Sequence, residues 1–265
     1  MALTLSILYS KNIEKHCCVI CNVFKYCQST IKDITMLYYI SQKLELDIMQ
    51  ASELSEAMEL AHVYRMNAVV VHPDLVADAN MQRVKRQAKY QVLTTVDWPK
   101  GDKTGISKFH SMSIHSLSCD GFEIALGTKS QGETKAETLA ITDFIHKHLP
   151  RVREIRFVLG CLSKEQQDID NLCLAIREIP APSMLRTDIN LRCAQAKANI
   201  GAHNTSLAAI LSHINRPIKL CGNINSAKII ASCKAARYGV SLKQAQTIIK
   251  ELKENPTKIE KIFKT

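Results

Sequence analysis

Between Met184 and Lys243 the chain repeats one pattern three times: a short apolar run, a basic or small polar residue, then a helix-like segment. The runs read MLRTDINL, PIKLCGNINSAKIIASC and AARYGVSLKQAQ. This is the grammar of successive βα units, in which strand ends carry chemistry and backbone N–H groups lie nearby. Arg186 closes the first run, Lys219 the second, and Gly239 with Ser241 the third. Arg186 and Lys219 stand about one βαβ repeat apart, so neighbouring strands would bring both cations to one barrel mouth.

The same alternation extends upstream. LELDIMQ predicts a first strand with Asp47 near its end. SELSEAMELAHVYR follows with helical periodicity and Ser52 as its N-cap; Ser55 three residues on removes a capping box. NAVVVHPDLV is a β-branched run stopped by His72-Pro73, the signature of a strand buried on both faces, with His72 read as a packed loop residue. ADANMQRVKRQAKY predicts a basic helix, and QVLTTVDWPKG a third strand with its loop. A short helix is expected within 102–119. CDGFEIAL gives a fourth strand containing Glu123, and Lys129 beyond it is expected to face solvent. ETKAETLAITDFIHKHL gives a helix, REIRFVLG a fifth strand, and SKEQQDIDNLCLAIREI a helix with a Ser163–Gln166 capping box. Eight strand candidates, each followed by helix-length sequence, predict a (β/α)8 TIM barrel over residues 36–265, preceded by an N-terminal helical extension over 1–35.

Several of these motifs together resemble the deoxyribose-phosphate aldolase family, class I Schiff-base aldolases of TIM-barrel fold. LRTDINL occupies the place of the family's reactive-lysine strand, IKLCGNIN that of the second lysine and the following Gly-Gly phosphate loop, and RYGVSL that of the last phosphate turn. Thr95-Val96-Asp97-Trp98-Pro99-Lys100-Gly101 is similar to a Thr-Val-x-x-Phe-Pro-x-Gly strand of the same family. The resemblance spans roughly residues 45–250 and implies a phosphosugar aldehyde-lyase. It implies catalytic roles for Asp47 (substrate hydroxyls), Glu123 (proton transfer), Lys219 (the lysine that tunes the nucleophile's pKa) and Arg186, and a phosphate site of Gly222, Asn223, Gly239 and Ser241. Arg186 stands where the reactive lysine belongs. A guanidinium stays protonated and forms no productive iminium, so the expectation is lost or altered Schiff-base chemistry. One alteration exchanges the roles, with Lys219 as nucleophile and Arg186 as tuning cation. The alternative is an inactive barrel that binds an anionic ligand or serves as an interaction module. A bland reading also stands: Arg186 and Lys219 hold structural carboxylates such as Glu123.

Composition narrows the partners. The formal charge of +10, from 35 basic and 25 acidic residues, favours anions. A phosphorylated sugar or other small anion ranks first; nucleic acid ranks lower, because zinc-finger spacing and RNA-binding aromatic signatures are missing. No apolar run reaches 18 residues, so no membrane span is predicted. Ten cysteines in a chain of this length, without a secretory pattern at its start, read as reduced thiols of a cytoplasmic protein. The group Cys17, Cys18, Cys21 and Cys27 lacks metal-ligand spacing, so neither metal nor cofactor is expected. Self-association is left open.

Overall fold

The computed structural model describes residues 36–98, 101–126, 131–162, 184–189, 218–222, 224–227, 230 and 237–255. The N-terminal extension, the cysteine group, Lys129, Asn223 and the Ser163 capping box lie outside the described residues. In chain order the elements are β1 (Leu44–Ile48), α1 (Ala51–Val63), β2 (Ala68–Val71), α2 (Val76–Lys85), β3 (Gln91–Val96), β4 (Gly121–Ala125), α3 (Gln131–His148), β5 (Glu154–Leu162), β6 (Met184–Ile189), β7 (Ile218–Gly222), β8 (Arg237–Val240) and α4 (Leu242–Glu254). A helical turn at 36–41 precedes β1. The eight strands close in sequence order into one barrel, β1 pairing with β8, and every pairing is parallel. All eight strands fall on the predicted segments.

Strand periodicity sorts side chains between two environments. In β1, Leu44, Leu46 and Ile48 join the layer between sheet and helices, where they meet Leu54, Ala57 and Met58 of α1. Val69, Val71, Val92, Val96, Phe122, Ile124, Tyr238 and Val240 continue that layer around the barrel. Ala68, Val70 and Leu93 form a separate buried cluster, the opposite pleat of β2 and β3, and so fill the barrel interior. Elsewhere the interior is charged: Glu45 of β1 touches Arg156 of β5, and Glu123 of β4 touches Lys219 of β7. Strands that far apart in the sheet meet only across the barrel axis.

Helix ends show which local signals prevailed. The first helix begins at Ala51 behind Gln50, with no side-chain cap bond; Ser52 is therefore not its N-cap, because the helix starts two residues earlier than its hydroxyl requires. His72 is exposed instead of packed, and its ring accepts from Asp74 N–H at 3.3 Å, capping the short 3-10 turn Pro73–Leu75. The basic helix stops at Lys85, and Gln87 turns left-handed at φ 51°. The stretch expected to hold one short helix holds two 3-10 turns, Gly105–Phe109 and Ser116–Ser118. Among the described residues a capping box forms at α4: Ser241 Oγ accepts from Gln244 N–H, and Gln244 Oε1 accepts from Ser241 N–H at 2.8 Å. Behind it, Leu242, Ala245, Ile248, Ile249 and Leu252 are buried along one face. Among the described residues no helix is long and apolar enough to cross a membrane.

That cap fixes where α4 begins beneath the barrel's C-terminal rim. Ser241→Ala should destabilise the protein by about 1 kcal/mol and Ser241→Gly by only a few tenths, measured from urea unfolding midpoints.

Candidate active site

The barrel interior is organised around two buried cations. Lys219 Nζ lies 2.7 Å from Asp47 Oδ1, 2.8 Å from Glu123 Oε1 and 3.4 Å from Glu45 Oε2. Arg156 donates to both oxygens of Glu45, with Nη2 to Oε1 at 2.9 Å, and reaches Glu123 Oε1 at 2.9 Å. Its Nε donates to Glu154 Oε1 at 2.8 Å. Glu123 Oε1 is thus shared by both cations. Glu45, Glu123, Arg156 and Lys219 are fully buried, while the Asp47 side chain keeps 17% exposure. Below them, Asn67 donates to Glu45 Oε1 at 3.1 Å and Arg237 donates to Asn67 Oδ1 at 3.2 Å.

These contacts fix protonation. Burial by itself lowers the Lys219 pKa, but the charges of Asp47, Glu123 and Glu45 outweigh it and hold the ammonium well above the ordinary lysine range. Burial raises the Glu45 carboxyl, yet Arg156 and Lys219 together pull it below its usual value. The Arg156 guanidinium, resisted by burial, is stabilised by Glu45, Glu123 and Glu154. In this arrangement the surrounding carboxylates favour the ammonium form of Lys219 over the free amine. It is equipped to be a fixed positive charge.

The sequence placed Asp47, Glu123 and Lys219 at one site, and the structure brings all three together. Arg186 is the cross-strand Cα partner of Lys219 in the β6–β7 ladder, level with it on the adjacent strand. Gly222 ends β7, and Asn223 is outside the described residues. Gly239 is not in a turn: it sits within β8, where a Cβ would come 2.5 Å from Lys219 Cε and 2.7 Å from Asp47 Oδ2, besides colliding with Cys221 Sγ. Glycine is there because the lysine stem crosses over it. Ser241 is committed to the α4 cap, while the first-turn amides of Leu242 and Lys243 keep donors directed out of the helix end.

Sequence reasoning missed Glu45 and Arg156, the other half of the network. The signal was present in LELDI and EIRFV, where charges alternate with apolar residues on strands expected to be buried on both faces. It also missed a third buried cation, Lys108, at the C-terminal rim. Lys108 Nζ contacts Asp97 Oδ2 at 2.7 Å, Glu137 Oε1 at 3.4 Å and Gly101 O at 3.3 Å. Asp97, in the TVDWPKG stretch, is left-handed at φ 55° and also accepts from Lys103 N–H at 2.8 Å. Part of that motif therefore latches the loop after β3. Among the described residues no group of three or more His, Cys, Asp or Glu side chains is arranged to hold a metal ion.

Among known proteins, solved structures share this architecture. A tetrameric deoxyribose phosphate aldolase from Aeropyrum pernix superposes with a TM-score of 0.63 at 11% identity, over 84% of this chain and 95% of that one. An aldolase designated QR15 gives 0.61 at 14% identity, over 82% and 97%. A putative deoxyribose-phosphate aldolase from Coccidioides immitis gives 0.56 at 14% identity, over 82% and 87%. No family model matches the sequence, and no curated protein does. The chain is a (β/α)8 barrel, an α/β protein. More narrowly, it has the fold of the deoxyribose-phosphate aldolases.

Two measurements check the site. Gly239→Ala should destabilise the fold by about 1–3 kcal/mol through overpacking, read by thermal and urea unfolding. The pH dependence of stability should show both buried charges. Glu45 has its pKa lowered on folding, so its contribution is present above the ordinary carboxylate value of about 4.3 and lost as pH falls through the folded value. Lys219 has its pKa raised, so its contribution is present below about 10.4 and lost only as pH climbs through the folded value. Urea midpoints measured across pH should form a plateau between those limits, and Lys219→Met should remove the alkaline edge that belongs to this lysine.

Proposed function

We propose that this barrel is an aldolase-like protein that has lost the Schiff-base step and binds a phosphorylated sugar or similar small anion at its C-terminal mouth. The observation that carries the reading is Lys219 Nζ held at 2.7 and 2.8 Å between Asp47 and Glu123. A class I aldolase needs an amine that is neutral often enough to attack a carbonyl. Lys219 is pinned as an ammonium, and Arg186 beside it in the ladder brings a side chain that cannot form an iminium. A protonated Lys219 suits the tuning position that the aldolase resemblance assigns to it, but the lysine to be tuned is replaced.

Ligand capture then rests on what surrounds this pair. Asp47, partly exposed beside Lys219, is the carboxylate offered to substrate hydroxyls in this reading. The α4 N-terminus, with the Leu242 and Lys243 amides and the Lys243 charge, favours an anion. Gly222, Asn223 and Ser241 complete the phosphate site in this reading; Gly239 contributes by leaving room for Lys219. Glu123 accepts from both cations and orients Lys219.

The exchanged-role reading, with Lys219 as nucleophile, has the three carboxylates against it, since each favours the charged amine. One experiment separates the two. Full-length protein is incubated with deoxyribose 5-phosphate and borohydride, and the intact mass is read. The expected result is no covalent adduct on the wild type and a trapped adduct on Arg186→Lys, mapped to residue 186. A wild-type adduct mapped to Lys219 would overturn the proposal in favour of exchanged roles.

A further inference from the structure

The opposite end of the barrel carries a feature that the aldolase comparison does not use. At the N-terminal ends of the strands lies a cavity of about 550 Å³, whose wall includes His62, Arg65, Asn67, Lys89, Tyr90 and Arg237. Its remaining lining residues are Gln42, Ala61, Met66, Gln87 and Ala88, so no carboxylate lies in the wall. The size is that of a small-metabolite pocket.

Three observations make this more than a solvated basic surface. First, the two loops that frame it bend through left-handed residues, Arg65 at φ 52° and Gln87 at φ 51°. Glycine fits such helix-terminating positions with least strain; here both carry long polar side chains, and both line the cavity. Second, the helix C-termini that reach this end do not present bare carbonyls. The turn after α1 returns Arg65 N–H to His62 O and Met66 N–H to Ala61 O, and the turn after α2 returns Gln87 N–H to Val84 O and Ala88 N–H to Arg83 O. The negative ends of the helices are thereby muted, and the side-chain cations dominate. Third, two of those cations are held in place: Arg65 stacks on Tyr38 with its guanidinium 5.3 Å from the ring centroid, and Arg237 is tied through Nη2 to Asn67 and through Nε, at 3.5 Å, to the buried Glu45 carboxylate. Preorganised guanidiniums suit phosphate oxygens.

We infer that the N-terminal face of the barrel is a second binding site, for a small phosphate-bearing molecule held by Arg65, Lys89 and Arg237. It is distinct from the mouth, at the other end of the strands, and does not depend on the function proposed there. His62 and Asn67 supply polar contacts beside the charges, and Tyr90 gives a flat wall.

The test is calorimetric titration of the full chain with inorganic pyrophosphate at low salt, on wild type, on Arg65→Ala/Lys89→Ala and on Arg186→Ala. Arg65 and Lys89 are exposed, so the double variant should keep the wild-type circular dichroism and unfolding temperature. The expected result is saturable binding by the wild type, roughly tenfold weaker in the double variant for two exposed ionic contacts, and retained in Arg186→Ala. Binding lost in Arg186→Ala but intact in the double variant would put the anion at the mouth and overturn this inference alone. No binding by the wild type would overturn it as well, while the borohydride result at the mouth would be unaffected.

Discussion

Glu45 is the group on which the barrel interior depends. Its two oxygens take Arg156 from β5, its Oε2 approaches Lys219 of β7, and its Oε1 accepts from Asn67. One buried carboxylate thus ties β1 to the far wall and to the N-terminal end at once. A carboxylate taken from water without partners costs several kcal/mol, and here it is matched by Arg156, Lys219, Arg237 and a side-chain amide. Lys219 and Arg156 are in turn oversubscribed, since Glu123 and Asp47 or Glu154 claim their remaining donors. The network is closed enough that removing any member leaves an uncompensated charge.

This changes how the barrel is packed. A barrel interior is normally filled by layers of branched apolar side chains; among the described residues, Ala68, Val70 and Leu93 of β2 and β3 form such a cluster here. Around β1, β4, β5 and β7 the filling is ionic and hydrogen-bonded, which is directional where aliphatic packing is not. Gly239 is a consequence: the Lys219 stem passes where a Cβ would stand, so the sequence at β8 answers to a charge on β7. The same logic operates at the rim, where Lys108 gathers Asp97, Glu137 and a backbone carbonyl and holds the loop after β3.

For chemistry, the arrangement is one of fixed charge and little nucleophilicity. Three carboxylates around Lys219 favour its charged form over the free amine with which Schiff-base chemistry begins. In the function proposed above, this lysine acts by field and hydrogen bonding. The fold of an aldolase is therefore compatible with a different use of the same strand ends, which is why fold and function have to be argued separately.

The barrel was legible in the sequence because parallel strands buried on both sides leave continuous apolar runs, and eight of them alternate with helix-length segments. Asp47, Glu123 and Lys219 were legible too, as charges at the ends or middles of such runs, and the resemblance in the last third of the chain supplied their order. What sequence could not give was closure across the axis. Glu45 and Arg156 are 111 residues apart, and nothing local says that each completes the other; only the curl of the sheet brings β1 against β5. Nor did the sequence separate Gly239 in a strand from a glycine in a turn, since both readings need a missing side chain and only the position of Lys219 chooses. Ser241, read from the sequence as part of the last phosphate turn, also caps α4, because Gln244 three residues on completes a capping box that a phosphate-loop pattern does not exclude. Periodicity determined which face of each strand is apolar; the tertiary structure decided which charges share the other face, and with them their protonation.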